Sequence, residues 1–102
     1  MTTITIIEYD DAWEIAAKKH ADTPEVCAAI SMVLTTLANW ELKYGEETAS
    51  LLPGDSRVVI TRSGPGPEAI CSLAELAFEA LAEDGKIILE KVQMLGKNRK
   101  GT

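Results

Sequence analysis

The stretch HADTPEVCAAIS, residues 20–31, marks a change in the period of the hydrophobic pattern. Before it, an alternating run of apolar and polar side chains begins at Trp13 and continues past Ala17, which is typical of a β-strand. After it, apolar residues recur at steps of three and four from Val26 to Tyr44, which is typical of one face of a helix. The chain is therefore predicted to pass from a sheet into a helix within this stretch.

The predicted first helix has sequence signals at both ends. Thr23 can accept a hydrogen bond as the N-cap, and Pro24 fits the first helical position because its missing N–H would be unpaired there. Glu25 places a negative charge at the positive end of the helix dipole. Gly45 is a C-terminal stop signal, so the helix is expected between Thr23 and Gly45.

The same criteria divide the rest of the chain into strands, a linker and a second helix. In chain order these are a hairpin formed by Thr3–Tyr9 and the run from Trp13, a strand at Val58–Thr61 after a turn at Pro53-Gly54-Asp55, a linker at Ser63–Pro67, a helix at about Pro67–Asp84 and a strand at Ile87–Val92. Two prolines and two glycines are expected to exclude regular structure from the linker. The order β-β-α-β-α-β predicts an α+β two-layer sandwich, in which two helices cover a four-stranded mixed sheet.

Length, charge and composition restrict the classes of function. A chain of 102 residues with 46% hydrophobic content suits one domain with a real core, assigned to residues 1–96, followed by a flexible basic tail at residues 97–102. The net charge of −6 opposes direct nucleic-acid binding, which depends on cations that displace counterions from phosphates. One histidine and two cysteines are too few for a zinc site of Cys and His, so no metal and no cofactor are expected.

The cellular compartment is predicted from the N-terminal segment and from hydropathy. The segment MTTITIIEYDD turns acidic early and carries no preceding cation, unlike a signal or transit peptide. No stretch approaches the roughly 18 apolar residues of a membrane-spanning helix, so no membrane partner is expected. We expect a cytoplasmic protein in which Cys27 and Cys71 remain reduced thiols.

The most informative side chains lie in the stretch that opens the first helix. His20 is expected where the second strand ends and Cys27 in the first turn or so of the helix, with a short loop between them. A thiol near a helix N-terminus lies at the positive end of the dipole, and an adjacent imidazole can take its proton. These are the requirements of an activated sulfur nucleophile. The alternative is that Cys27 is a small apolar residue packed against the sheet, as expected of Cys71 in the second helix.

Two further patterns have a functional and a structural interpretation. The loop at residues 64–67 is rich in glycine, but it lacks both the GxGxxG spacing and the following Lys-Ser/Thr of a phosphate-binding loop. Glu75, Glu79 and Glu83 share one face of the second helix and either dock a basic peptide or form a solvated face. The structural interpretation is favoured in both cases.

The aromatic residues and the basic tail also have a functional and a structural interpretation. Trp13, Trp40 and Tyr44 fit the apolar patterns of their elements, which favours packing in the core or at an interface over a platform for stacked bases. Trp40 and Tyr44 can alternatively line a dimer contact. The cations of the tail can touch an anionic partner, although a solvated chain end is more common.

The string HADTPEVCAAIS, between a predicted hairpin and a long helix, resembles the signature of the ribosomal-processing cysteine proteases called Prp, also known as the YsxB-like family. The family pattern is Gly-His-Ala, a glycine-containing loop and then Asp-x-Val-Cys-Ala-Ala-x-Ser. The most specific match is Val26-Cys27-Ala28-Ala29, followed by Ser31 and preceded by a His-Ala pair. The order of elements and the length of the chain also agree.

The resemblance implies a cysteine endopeptidase in which Cys27 is the nucleophile, His20 is the general base and Ser31 supports them one helical turn away. The family's substrate-covering loop corresponds here to four residues, Ala21, Asp22, Thr23 and Pro24. Family members remove a short N-terminal extension from a large-subunit ribosomal protein, some process phage head proteins, and they are usually homodimers. The implied partners are therefore a second copy and a peptide or protein substrate with a basic tail, which suits the negative charge of this chain.

The sequence also departs from the family pattern. Lys19 replaces the glycine before the histidine, Pro24 or its neighbour replaces the aspartate, and the loop before Cys27 is several residues shorter and lacks its glycine. The short loop puts substrate specificity and retained activity in question more than the dyad, and it fits a divergent or phage-encoded member. Two alternatives stay open: an inactive, dimeric protein-interaction module of the same fold, and a redox pair that requires the Cα atoms of Cys27 and Cys71 to lie within roughly 7 Å.

Overall fold

The computed structural model describes residues 1–45, 49–94 and 96–99, which form one five-stranded sheet and two helices. The strands are β1 (Thr3–Glu8), β2 (Ala12–Lys18), β3 (Ser50–Leu52), β4 (Asp55–Thr61) and β5 (Ile88–Gln93), and the helices are α1 (Pro24–Tyr44) and α2 (Pro65–Glu83). The strand order across the sheet is β3-β4-β2-β1-β5. Only β1 and β5 pair in parallel, so the predicted α+β class and mixed sheet are confirmed for the described residues.

The core lies between one face of the sheet and the two helices. Ile6 pairs with Ile15, which in turn pairs with Val58, so three β-branched side chains form a row across the centre of the sheet. The sheet packs against Phe78 of α2, which has no exposed surface. The buried apolar residues of α1 are Val26, Ile30, Leu34 and Leu37. Their spacing of three and four is the period seen in the sequence.

The prediction of four strands was wrong by one, because β3 was missed. This strand pairs antiparallel with β4, and the two are joined by a tight turn at Pro53 and Gly54. Gly54 adopts a φ of +73°, a left-handed conformation that favours glycine. The strand has only three residues, all of them exposed, so no alternation of buried and exposed positions could identify it.

The predicted linker at Ser63–Pro67 was also wrong, since α2 begins at Pro65. The N–H groups of the first helical turn have no acceptor within the helix, so prolines are tolerated there. Gly66 is the point of close approach to α1: a Cβ atom there would lie 3.0 Å from the ring of Trp40. The Pro-Gly-Pro run therefore starts the second helix and allows the two helices to touch.

Both ends of α1 agree with their sequence signals. The Thr23 hydroxyl accepts a hydrogen bond of 3.3 Å from the Val26 N–H. Gly45 ends the helix in an extended conformation, and a Cβ atom there would overlap the carboxyl group of Glu41. Glu41 is 2% exposed and accepts hydrogen bonds from the N–H of Thr61 at 3.1 Å and from its hydroxyl at 2.7 Å. This buried carboxylate therefore fixes α1 against β4.

The aromatic residues have structural contacts. Trp13 is buried in the core cluster, and the Arg62 guanidinium lies 5.1 Å from its ring centroid. The rings of Trp40 and Tyr44 lie 4.6 Å apart on α1, and Tyr44 is exposed. Trp13 is therefore a packing residue.

Residues 97–99 make hydrogen bonds to the β1–β2 hairpin. The Lys97 carbonyl accepts from the Asp10 N–H at 2.9 Å, and Arg99 Nε donates to Glu14 at 2.9 Å. The last part of the predicted tail, residues 100–102, lies outside the described residues. No helix in the described ranges is long and apolar enough to cross a membrane.

Candidate active site

A cleft of about 340 Å³ opens between the first half of α1 and the β3–β4 hairpin. The sheet side contributes Thr2, Ala17, Lys19, His20 and Ala21; α1 contributes Cys27, Ile30, Ser31, Leu34 and Thr35; and the hairpin contributes Leu51, Leu52, Pro53, Gly54, Asp55 and Ser56. His20, Cys27 and Ser31 therefore line the same cleft. No cluster of three or more His, Cys, Asp or Glu side chains suited to a metal ion occurs within the described ranges.

Cys27 lies at the start of α1 and is exposed to solvent. Its backbone N–H donates to the Thr23 carbonyl at 3.1 Å and so belongs to the first turn of the helix. Ser31 and Thr35 follow at intervals of one turn and also line the cleft, so these three side chains share one face of α1. The thiol therefore lies near the N-terminal end of α1, on the face that lines the cleft.

His20 reaches the cleft from the end of β2, immediately after Lys19. The imidazole lies over the β3–β4 turn, where a Cβ atom built on Gly54 would be 3.1 Å from His20 Nε2. The side chain is exposed, so it can exchange protons with solvent or with a bound molecule. At the same end of the sheet, Lys18 forms an ion pair with Asp55, and the lysine lowers the pKa of this carboxyl group.

The start of α1 offers few backbone donors to a developing oxyanion. Pro24 has no N–H, the Val26 N–H is bonded to the Thr23 hydroxyl, and the Cys27 N–H is bonded to the Thr23 carbonyl. Glu25 alone among the first four helical residues can supply an N–H that neither the cap nor the helix uses. The start of α1 therefore has one backbone N–H available to such an oxyanion.

Two of the four residues expected to form a substrate loop, Thr23 and Pro24, form the start of the helix. Ala21 lines the cleft. Asp22 is exposed and pairs with the N-terminal amino group at 3.0 Å, Thr23 caps α1, and Pro24 is its first residue. Thr23 and Pro24 thus have structural functions that the sequence signals had already indicated.

The second cysteine lies in a different environment. Cys71 is 4% exposed and belongs to the hydrophobic core beside α2. Burial raises the pKa of the Cys71 thiol to about 12, and the negative charge of Glu68 adds to this effect. Both cysteines are free thiols. Cys71 therefore has the inert, packed character expected from the sequence.

The acidic residues of α2 are partly engaged by the chain itself. Lys91 of β5 lies 3.3 Å from Glu75 and 3.0 Å from Glu79, and both carboxylates raise the pKa of this lysine. Glu83 is exposed. Two of the three positions thus face a cation of the same molecule, which supports the structural interpretation of this pattern over docking of a basic peptide.

Sequence reasoning missed one wall of the cleft. Leu51, Leu52 and Pro53 belong to the β3–β4 hairpin and line it opposite α1. The Pro53-Gly54 pair was identified as a turn, and the two leucines before it were the only available signal for a hairpin strand. Thr2 and Thr35, which also line the cleft, carried no recognisable signal.

The fold was compared with known proteins. No family model matches the chain, and no curated protein matches its sequence. Among solved structures, the essential ribosomal processing protease Prp from S. aureus with a covalently linked product peptide aligns with a TM-score of 0.69 and 20% identity. The same protease with a substrate peptide gives a TM-score of 0.64 and 19% identity, and a hypothetical protein from Staphylococcus aureus gives 0.60 and 17%.

These alignments extend over nearly the whole of each protein. Each covers 89% of this chain and 99% of the other chain. The structural alignments establish the architecture, while function depends on the residues of the site. The chain has the fold of the ribosomal processing protease Prp.

Proposed function

We propose that this protein is a cysteine endopeptidase in which Cys27 is the nucleophile and His20 is the general base. The observation that carries the proposal is the convergence of the chain's single histidine and its exposed cysteine on one cleft, from two different elements. The Prp fold supports it, because two solved structures of that protease contain peptides. A cytoplasmic location is part of the proposal, since it keeps the thiol reduced.

The reaction follows from the two side chains. His20 takes the proton of the Cys27 thiol, and the thiolate attacks the carbonyl carbon of the peptide bond. The tetrahedral intermediate collapses, the C–N bond breaks, and the imidazolium returns its proton to the leaving amine. His20 then deprotonates a water molecule that attacks the thioester, which releases the carboxylic acid and regenerates the thiol.

The oxyanion of this intermediate needs donors close to Cys27. The Glu25 N–H is the backbone candidate, and the hydroxyl groups of Ser31 and Thr35 lie on the same face of α1 as the thiol. Ser31 is one turn from Cys27 and is the supporting residue that we assign to the site. Hydroxyl donors would compensate for the shortage of free N–H groups at this helix start.

The proposed substrate is an N-terminal extension of a ribosomal or phage structural protein. The cleft is open and has apolar walls, with Leu51 and Leu52 on the hairpin and Ile30 and Leu34 on α1, which suits an extended peptide. The net charge of −6 favours a substrate that carries a basic tail. This steering should weaken as ionic strength rises.

Mass spectrometry of a digestion tests the proposal. The purified protein is incubated with candidate ribosomal and phage head proteins, and product masses identify the cleaved bond. Cys27→Ala should give no product. Cys71→Ala is the matched control, because it removes the buried thiol and leaves the cleft intact. Cleavage by Cys27→Ala, or no cleavage of any tested substrate by the wild-type chain, would count against the peptidase.

A second candidate function is a dimeric protein-interaction module with the same fold. The observation that favours it is the exposure of Leu73 and Leu76, which are 68% and 63% exposed on α2, and of Met32 on α1. Large apolar side chains that face solvent often mark protein contacts. Sedimentation of the wild-type chain and of Leu73→Glu tests the contact, because a module of this kind sediments as a dimer that the glutamate dissociates. Since the peptidase is also expected to be a dimer, such a dimer favours the module only when no Cys27-dependent cleavage is found.

A further inference from the structure

Two residues with left-handed backbone conformations meet beside His20. Lys19 has a φ of +70° and Gly54 a φ of +73°, and the Lys19 N–H donates to the Gly54 carbonyl at 2.9 Å. Within residues 1–45, 49–94 and 96–99, Lys19 is the only non-glycine residue with a positive φ. Such a conformation is costly for lysine and persists only where its surroundings hold it.

Thr2 supplies the other restraint on Lys19. Its hydroxyl donates to the Lys19 carbonyl at 3.0 Å, and the residue is 2% exposed. The carbonyl of Thr2 accepts from the Ile88 N–H at 3.0 Å, so the threonine is itself attached to β5. Both backbone polar groups of Lys19 are therefore held, one by the β3–β4 turn and one by a buried hydroxyl group. These two hydrogen bonds fix the backbone conformation of Lys19 and therefore the position of His20, the next residue.

The imidazole ring of His20 packs against the β3–β4 turn at Gly54. A Cβ atom on Gly54 would lie 3.1 Å from His20 Nε2 and 3.3 Å from Cδ2. Contacts this short leave no room for a side chain at residue 54 unless the ring moves. Gly54 is thus required twice, once for its backbone conformation and once for the flat surface on which the ring lies.

We propose that Thr2 and Gly54 are positioning residues that hold His20 in the cleft. Thr2 acts through the Lys19 carbonyl, and Gly54 acts through the Lys19 N–H and through direct contact with the ring. The catalytic meaning of this arrangement rests on the proposed function, whereas the position of the ring can be measured without a substrate. His20 is the single histidine of the chain, so its ring gives one set of NMR signals.

Gly54→Ala and Gly85→Ala form a matched pair. Gly85 has a φ of +71°, but a Cβ atom there would meet nothing within 4 Å. Both substitutions should lower the urea midpoint, since both place alanine in a left-handed conformation, and Gly54→Ala should lower it at least as much because its Cβ atom also meets the His20 ring. Only Gly54→Ala should shift the ring signals of His20, because only there does the added Cβ atom lie against the ring. Equal ring spectra in the two variants would overturn the proposal for Gly54.

Thr2→Val and Thr2→Ser test the hydroxyl group independently, including the case in which Gly54→Ala does not fold. Valine keeps the shape of threonine and removes the donor, so it should shift the His20 signals, whereas serine should restore the wild-type spectrum. With a cleavable peptide, Thr2→Val should lower kcat by up to about 10²-fold and leave KM unchanged. Wild-type ring signals in Thr2→Val would contradict the proposal for Thr2.

The NMR signals of the His20 ring test the positioning proposal, and peptide cleavage tests the proposed function, so the two can fail independently. If the His20 signals respond as expected and no peptide is cleaved by the wild-type chain, the positioning proposal holds and the proposed function fails. If the wild-type chain cleaves peptides and the His20 signals are unchanged in both Gly54→Ala and Thr2→Val, the proposed function holds and the positioning proposal fails.

Discussion

The start of α1 and the inner face of α2 each carry one cysteine, and they place it in opposite surroundings. Cys27 is exposed in a cleft that also contains His20, while Cys71 is 4% exposed and packs in the core that contains Phe78. Burial raises the pKa of Cys71 to about 12, which keeps it protonated at any physiological pH. The chemistry available to a cysteine in this fold is therefore decided by solvent access and by the position along the helix.

The two regions also differ in their backbones. The cleft contains Lys19 in a left-handed conformation and a glycine turn against which a histidine ring packs closely. The buried face of α2 contains a regular helix whose side chains fill the core. Departures from local rules are expected where a protein has a functional site, because a site needs side chains in positions that packing alone would not select.

The largest expected effect comes from removing each thiol in turn. Cys27→Ala should lower peptide turnover by about 10³-fold or more, because it removes the nucleophile. Cys71→Ala should leave turnover unchanged and lower the free energy of unfolding by about 1 kcal/mol, because it removes a buried sulfur atom. Steady-state kinetics and urea titration of both variants measure these effects. If both substitutions impaired turnover equally, the assignment of Cys27 as nucleophile and Cys71 as a core residue would be contradicted.

The next effect depends on the histidine. His20→Ala should lower kcat by about 10²-fold or more, the usual contribution of a positioned general base. It should also slow alkylation of Cys27 by iodoacetamide at pH 7, because no imidazole is present to take the thiol proton. Alkylation is followed by mass spectrometry in a Cys71→Ala background, so that Cys27 is the only thiol that can be alkylated. Equal alkylation rates with and without His20 would show that the histidine does not activate the Cys27 thiol.

Stability at alkaline pH tests the buried thiol. In the folded protein burial raises the pKa of Cys71 from 9.0 to about 12, so above pH 9 the unfolded chain releases a proton that the folded chain retains. The free energy of unfolding should therefore be unaffected by this thiol below pH 9 and should fall above it, by at most about 1.4 kcal/mol per pH unit. Urea titrations from pH 8 to 10.5 measure the slope. The difference in slope between the wild-type chain and Cys71→Ala is the contribution of this thiol. Identical slopes in the two proteins would show that the thiol is not buried as described.

The smallest effect concerns the strain beside the cleft. Lys19→Gly should raise the free energy of unfolding by about 0.5–1 kcal/mol, because relief of the left-handed conformation outweighs the added flexibility of glycine. Lys18→Gly is the matched control, since Lys18 lies in β2 and pairs with Asp55. That substitution should destabilise the protein. A loss of stability in Lys19→Gly would contradict the description of Lys19 as strained.

Much of the fold could be predicted because its signals are local. The change of period at residues 20–31, the cap at Thr23 and the stop at Gly45 identify α1 from neighbouring residues alone. The errors had local causes too. The strand β3 is too short to show a period, and the prolines of the 65–67 run indicate a break although they are tolerated in a first helical turn.

The candidate site was predicted only in part. His20 and Cys27 were chosen because one segment carries both, and the structure brings them to one cleft. The opposite wall, with Leu51 and Leu52, comes from a hairpin that is distant in the sequence. Asp22 was expected in a substrate loop; it is exposed and pairs with the N-terminal amino group, and contact with a substrate stays a prediction. The resemblance to Prp suggested roles for these residues, but it gave no information on their contacts.

The sequence by itself determined the order of six of the seven described elements, the ends of α1 and the identity of the one histidine that a Cys-His pair must use. These properties are local, because hydrophobic period and capping act over a few neighbouring residues. Only the tertiary structure decided that β4 lies beside β2, where Lys18 pairs with Asp55. That pairing brings Gly54 against the His20 ring. It could not be predicted from local patterns, since the choice of neighbouring strands depends on packing between residues far apart in the chain.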